Sequence, residues 1–178
     1  DEHMGRFIRE QLVREGVDTS YVKTDPDRLT ALVILGIRDG ERFPLVFYRE
    51  DCADMAIEAA DMDADFIASA RAVVVTGTHF STDRVAGASV TAMKMASQSD
   101  RLVAFDIDYR PSLWALGGHD DGESRFAESE RVTAHLQTVL PYCDLIVGTE
   151  EEWHIAGGTT DTIAALQAAR AITEATLV

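Results

Sequence analysis

Apolar positions along the chain change their period twice. Between residues 4 and 15, Met4, Phe7, Ile8 and Leu12 share one helical face, and Gly16 follows as a stop. After the connector Thr24-Asp25-Pro26-Asp27, Leu29–Ile37 and Phe43–Tyr48 read as strands rich in β-branched and aromatic residues. Between them stands Arg38-Asp39-Gly40-Glu41, whose Asp-Gly pair suits a tight hairpin turn. Pro44 suits a sheet edge, because proline has no ladder donor. From residue 72 onward, short apolar runs alternate with helical periodicity. Ala72–Thr76, Leu102–Ile107, Leu145–Val147 and a run beginning at Leu177 read as strands. Helices are expected over Ser81–Ala96 with Ser81 or Thr82 as N-cap, and through Val132, Leu136, Val139 and Leu140 up to Pro141. Two more are expected over Glu150–Ile155 and Asp161–Thr173. Strand and helix at this spacing predict an α/β fold, a parallel sheet with helices on both faces carrying a small β-hairpin.

Composition narrows the classes. The 178 residues are 46% hydrophobic and 26% charged, which is globular and not disordered. Sixteen Lys+Arg against 31 Asp+Glu give a net charge of -15, which repels nucleic acid and anionic membrane surfaces. No apolar run approaches the roughly 18–20 residues of a membrane-spanning helix. Cys52 and Cys143 stand far apart without a Cys-x-x-Cys pair, so reduced thiols and a cytoplasmic protein are expected. Ala175-Thr176-Leu177-Val178 reads as an opening strand, and the chain is expected to be the interior of a longer one.

Open parallel sheets bind ligands beyond the carboxyl ends of their strands. That rule selects Thr76-Gly77-Thr78-His79, Asp106-Ile107-Asp108-Tyr109-Arg110 and Gly148-Thr149-Glu150-Glu151-Glu152. Asp106, Asp108 and Glu152 with Arg110 among them suit a divalent metal and an anionic or polyhydroxylated ligand. Taken singly, each acid also reads as a helix cap or a solvated loop residue. Asp-x-Asp after a strand also opens two other readings, a haloacid-dehalogenase-like phosphohydrolase and a glycosyltransferase metal motif. Arg110 stands where the former needs a small residue. Glu151-x-x-His154 has ligand spacing but lacks the second such pair of a di-iron bundle, and Trp114 and Trp153 read as packing residues. Neither a P-loop nor a Gly-x-Gly-x-x-Gly fingerprint occurs.

Asp106-Ile-Asp-Tyr-Arg-Pro-Ser-Leu-Trp114 resembles the Asp-x-Asn-x-Arg-x-x-Leu-Trp run of ribokinase-like (PfkB) sugar kinases acting on keto-deoxy sugar acids. The resemblance covers essentially the whole chain, which it makes the internal part of one ribokinase-like domain. Residues 29–49 resemble that family's β-lid, and Phe47-Tyr48-Arg49 its aromatic-x-Arg element. Thr149-Glu150-Glu151-Glu152 falls where the family has Asn-x-x-Glu. Asp108 for Asn, Gly148-Thr149 for Pro-Asn, Thr76-Gly-Thr-His-Phe80 and Asp51-Cys-Ala-Asp-Met55 are similar to the 5-dehydro-2-deoxygluconokinase branch of myo-inositol catabolism. Thr149 departs from the family's Asn, and Asp51 puts a charge where Asn is expected.

The resemblance implies ATP and Mg2+ as cofactors. It places Arg49, Asp108, Arg110 and Phe47 on the substrate, with the arginines clamping a carboxylate or keto oxygen. Thr149 and Glu152 fall on the phosphate and metal side, with Glu152 toward magnesium. It also implies a homodimer through the lid. It puts the Gly-Ala-Gly-Asp segment and its catalytic base beyond Val178, so no catalytic residue is expected in this chain. The 2-keto-3-deoxygluconate kinases are the near alternative. A magnesium phosphohydrolase and a non-catalytic sugar-acid binding module are further ones.

Overall fold

The computed structural model describes residues 2–37, 45–116 and 127–178, and the chain divides into two units, Asp1–Ile57 and Glu58–Val178. In the first unit, α1 (His3–Arg14) is capped by Glu2, whose carboxylate accepts from the Met4 and Gly5 amides. A hydrogen bond from the Thr30 side chain, with those amides, holds the Glu2 carboxyl down at about 2. Gly16 ends the helix at φ +78°. Its apolar face is open, with Phe7 54% exposed.

Strands β1 (Leu32–Leu35) and β2 (Leu45–Tyr48) pair antiparallel, with Val33 opposite Phe47 and Ile34 opposite Val46. Strand β1 is shorter than its apolar run suggests, and the expected turn at residues 38–41, Phe43 and Pro44 lie outside the described residues. Alternate residues of a strand face opposite sides, so the hairpin carries apolar side chains on both faces.

The second unit is built on β3 (Ala72–Thr76), β4 (Leu102–Asp106), β5 (Leu145–Val147) and β6 (Thr176–Leu177), parallel and adjacent in chain order. Helix α2 (Ala64–Ser69) precedes β3, and α3 (Asp83–Gln98) connects β3 to β4. Helix α4 (Glu130–Gln137) lies between β4 and β5, and α5 (Glu150–Gly157) and α6 (Thr162–Arg170) link β5 to β6. Crossovers of one hand between successive neighbours bring their helices to the same side of the sheet. Val75, Val103, Phe105 and Ile146 are buried on that side, in a core with Met93, Leu136, Leu140 and Ile155. On the opposite face, where helices are also expected, Val74 is 72% and Leu102 60% exposed. A Cβ on Gly157 would stand 2.4 Å from the Ala165 Cα, so glycine there sets how closely α5 and α6 approach.

The helix boundaries differ from expectation in instructive places. Residues 77–81 form a 3-10 turn, so α3 starts at Asp83 behind Thr82, which makes no side-chain cap bond. Helix α4 ends at Gln137, before Val139 and Leu140. A proline stop acts early, because proline disfavours α geometry in the residue before it, and Pro141 sits inside a separate 3-10 turn, Leu140–Tyr142. The pattern gives no sign of α2, which has too few residues to show a period; its signal is Asp63, which accepts from the Phe66 amide. Both cysteines are buried, and burial pushes the Cys143 thiol up to about 12. Among the described residues, no helix is long and apolar enough to cross a membrane.

Candidate functional site

Parallel register brings the three polar segments selected by sequence to one edge of the second unit. Thr76 lies opposite Asp106, and Asp106 opposite Val147, so the segments that follow these residues leave the sheet side by side. After β4, Ile107 and Tyr109 turn inward and are 0% and 1% exposed, while Asp106, Asp108 and Arg110 alternate outward. The Ile107 amide extends the ladder by donating to the Val147 carbonyl.

Aromatic packing fixes the loops beneath this edge. Phe80 meets Phe105 edge-on at 5.6 Å and so anchors the turn after β3. Trp114 holds the turn Pro111–Trp114 after Arg110, with His135 edge-on at 5.6 Å and Arg131 over its ring. Gly77 lies against β4 so closely that a Cβ would stand 1.9 Å from the Ile107 carbonyl oxygen. The Tyr109 hydroxyl donates to the Ala127 carbonyl, and burial pushes that phenol up to about 12.

Glu152 is the hub of the cluster and is 7% exposed. Its Oε2 accepts from the Thr149 amide at 2.8 Å while the Thr149 hydroxyl accepts from the Glu152 amide, a reciprocal capping box at the start of α5. Its Oε1 accepts from the Tyr109 amide at 3.1 Å and faces Arg110 Nη1 at 3.5 Å. Arg110 Nη2 pairs with Asp108 Oδ1 at 2.7 Å, and its Nη1 also donates to the Tyr109 carbonyl. Asp108 stands at φ +30°, a region Asp and Asn enter more readily than other side chains. The Thr76 hydroxyl reaches Asp108 Oδ2 at 3.4 Å and lies 2.6 Å from the Thr78 hydroxyl. Burial raises the Asp106 carboxyl above its ordinary value, and the charges of Asp108 and Glu152 add to this.

Asp106, Asp108, Arg110, Thr149 and Glu152 are therefore brought together in the second unit. Phe47 and Arg49 belong to the first, where Arg49 pairs through Nε with Asp54 Oδ2. Asp51 there takes a hydrogen bond from Arg28 Nε at 3.0 Å. His154 bonds the Thr162 hydroxyl at 2.9 Å and so ties α5 to α6. Trp114 and Trp153 are buried, as a packing role requires. Among the described residues, no group of three or more His, Cys, Asp or Glu side chains is placed to hold a metal ion. Glu152 has a lone pair left on Oε2, which suits a hydrated magnesium ion approached through water rather than a protein cage. Reasoning from sequence missed that Thr149-x-x-Glu152 is also a capping box, although the spacing displays one. It also missed Tyr109, whose amide binds Glu152 and whose ring is core.

Comparison with known proteins decides the family. Residues 1–178 match the pfkB family of carbohydrate kinases. The chain belongs to that family. A 5-dehydro-2-deoxygluconokinase of Geobacillus kaustophilus is 31% identical over 154 residues, which cover 86% of this chain and 42% of that protein. A PfkB protein from Polaromonas sp. JS666 superposes with a TM-score of 0.80 at 23% identity, over 99% of this chain and 57% of that one. A fructokinase from Xylella fastidiosa, solved with bound ATP, gives 0.77 at 19% identity, over 98% and 53%. The PfkB chain thus spans less than half of the Geobacillus relative. Its α/β fold, with a parallel sheet and a small antiparallel hairpin, is the ribokinase-like one that the sequence led us to expect.

Proposed function

We propose that this PfkB chain is part of an ATP-dependent kinase that phosphorylates a keto-deoxy sugar acid, with 5-dehydro-2-deoxy-D-gluconate of inositol catabolism as its substrate. The observation that carries this reading is the convergence of Asp106, Asp108, Arg110 and Glu152 at the carboxyl ends of parallel strands. The name of the Geobacillus relative supports the substrate, and the ATP in the Xylella fructokinase supports the phosphoryl donor.

Phosphoryl transfer requires a positioned hydroxyl, charge compensation on the phosphates and exclusion of water. Asp108 and Arg110 meet the first requirement on the sugar side. Glu152 and Thr149 belong to the phosphate side, where Glu152 would hold magnesium through water and the ion would supply charge neutralisation. Phe47 and Arg49 are substrate contacts on the strength of the resemblance, and residues 29–49 act as the lid that keeps the site dry. The resemblance puts the catalytic base C-terminal to Val178, in a domain of which residues 1–178 are the internal part. A cytoplasmic location accords with the two reduced thiols.

The test is ADP release by the full-length protein with 5-dehydro-2-deoxygluconate and with 2-keto-3-deoxygluconate. The expected result is a clear preference in kcat/KM for the former, and equal values would overturn the substrate assignment. Phosphate release from sugar phosphates without ADP formation would favour the phosphohydrolase instead.

The hairpin supports a homodimer. Leu32, Val33, Ile34 and Leu35 are all exposed, Leu35 by 55%, and a two-stranded hairpin with two apolar faces needs more than one surface to cover it. Light scattering should give twice the protomer mass for the full-length protein and the single mass for Ile34→Lys. A wild-type monomer would remove the proposal.

A further inference from the structure

We propose that the first unit binds a small dianion, a phosphate or phosphate monoester, in the groove between α1 and the connector that leads to β1. None of the residues used is assigned above to sugar, nucleotide or magnesium, and the site goes beyond the sugar-kinase reading without depending on it.

The groove is a cavity of about 170 Å³, and among the described residues its charged lining is Arg6, Arg9, Lys23, Arg28 and Asp25. Four cations thus meet one carboxylate, in a chain whose acids outnumber its bases 31 to 16. A positive cavity on so acidic a chain concentrates anions from solution. Ile8 and Leu12 of α1 complete part of the wall, and apolar walls strengthen the pull of the charges beside them.

Arg9 carries the argument. It is half-buried, and its hydrogen bonds all go to neutral acceptors. Its Nη1 donates to the Thr19 carbonyl at 3.2 Å, and its Nη2 to the Val22 carbonyl at 2.7 Å and the Thr24 hydroxyl at 2.9 Å. Among the described residues no carboxylate pairs with it. A guanidinium drawn partly out of water without a counter-ion costs free energy that a bound anion offsets. Three of its five N–H groups are used, which leaves Nε–H and one N–H of Nη1 to a ligand.

Arg28 supplies a second guanidinium. Its Nε donates to Asp51 Oδ1 and its Nη1 to Asp25 Oδ2, both at 3.0 Å, while Nη2 has no partner among the described residues. Arg28 precedes β1 and Asp51 follows β2, so this pair also ties the two roots of the hairpin. An anion that draws on Arg28 shares it with Asp51, and occupancy of the groove is thereby coupled to the base of the hairpin. Guanidinium and ammonium donors suit phosphate oxygens, and a dianion matches the excess of positive charge better than a single carboxylate does.

The experiment is calorimetric titration of the full-length protein with inorganic phosphate and with glucose 6-phosphate, a saturating non-hydrolysable ATP analogue being present to fill a nucleotide site. One saturable site per protomer is expected, weakened about tenfold in Arg9→Met and in Lys23→Glu. Asp51→Asn should tighten it about twofold, because the acid that shares Arg28 is gone and Asn tolerates the φ of +50° there. A parallel loss for both ligands supports the site, and the tighter of the two tells free phosphate from a phosphorylated metabolite. Arg9→Met also releases two carbonyls and can loosen the unit, so Lys23→Glu, at an exposed position, keeps the test decisive. No saturable binding of either ligand, or binding that neither variant weakens, would overturn the proposal. A loss confined to Arg9→Met, with Lys23→Glu and Asp51→Asn like wild type, would reduce Arg9 to a tether between α1 and its connector and overturn it too. ADP release with the sugar acid is read separately, so failure of the kinase reading and failure of this site are told apart.

Discussion

Gly77→Ala is expected to lower the Tm by about 10 °C or more, the largest effect of any single methyl group in the site. The added carbon would stand 1.9 Å from the Ile107 carbonyl oxygen and 2.9 Å from its carbon, and both are backbone atoms. Relief requires β3 and β4 to separate where Thr76 is paired with Asp106, which breaks the register that aligns the site. The control is Gly87→Ala. Gly87 lies exposed inside α3 with nothing within 4 Å of a new Cβ, so the same change there should stabilise by up to about 1 kcal/mol. Thermal melts of the two variants should move in opposite directions. A Gly77→Ala melt within about 2 °C of wild type would mean that the two strands are not in this contact.

The second large effect belongs to Glu152. Removing its side chain leaves the buried Tyr109 amide and the Thr149 amide without their acceptor, which takes away half of the capping box, and takes one partner from Arg110. An orphaned buried donor and the broken half of a capping box together cost about 2–4 kcal/mol, so Glu152→Ala should show that loss in urea unfolding. Glu152→Gln should also destabilise. An amide supplies one acceptor oxygen and sets an NH2 group against an N–H donor, where the carboxylate accepts on both sides. A loss below about 0.5 kcal/mol for Glu152→Ala would show that the hub is not structural. A fall in activity in either variant therefore identifies a magnesium contact only after the stability loss is measured alongside it.

The sheet was legible because a parallel strand buried between neighbours is written as a short, nearly continuous apolar run. Ala72–Thr76 and Leu145–Val147 have the bounds expected of them. The same runs marked where the site must lie, since each polar segment begins where an apolar run ends. Termini and turns were less legible, for local reasons. The 3-10 turns at Gly77–Ser81 and Leu140–Tyr142 keep apolar side chains buried without an α period, so Phe80 and Leu140 read as helix or strand neighbours. Glu152 was recognised for its position and given a metal role, whereas its carboxylate is first of all occupied by backbone amides. The inward turn of Tyr109 follows from strand alternation continuing past Asp106, but its amide–carboxylate bond joins segments that no local pattern connects.

The parallel register also sets when the site can exist during folding. Thr76 and Asp108 are 32 residues apart in the chain, Arg110 and Glu152 42, and Tyr109 and Glu152 43. Contacts of such separation pay their loop-closure entropy before any hydrogen bond repays it, and parallel pairing cannot form them locally. A ribosome adding about 5–20 residues per second releases Glu152 seconds after Thr76, and until then the Tyr109 amide has only water and the Arg110 fork only its neighbours Asp108 and the Tyr109 carbonyl. The strand-end cluster therefore waits on both long crossovers, β3 to β4 and β4 to β5, and its integrity reports that both have closed.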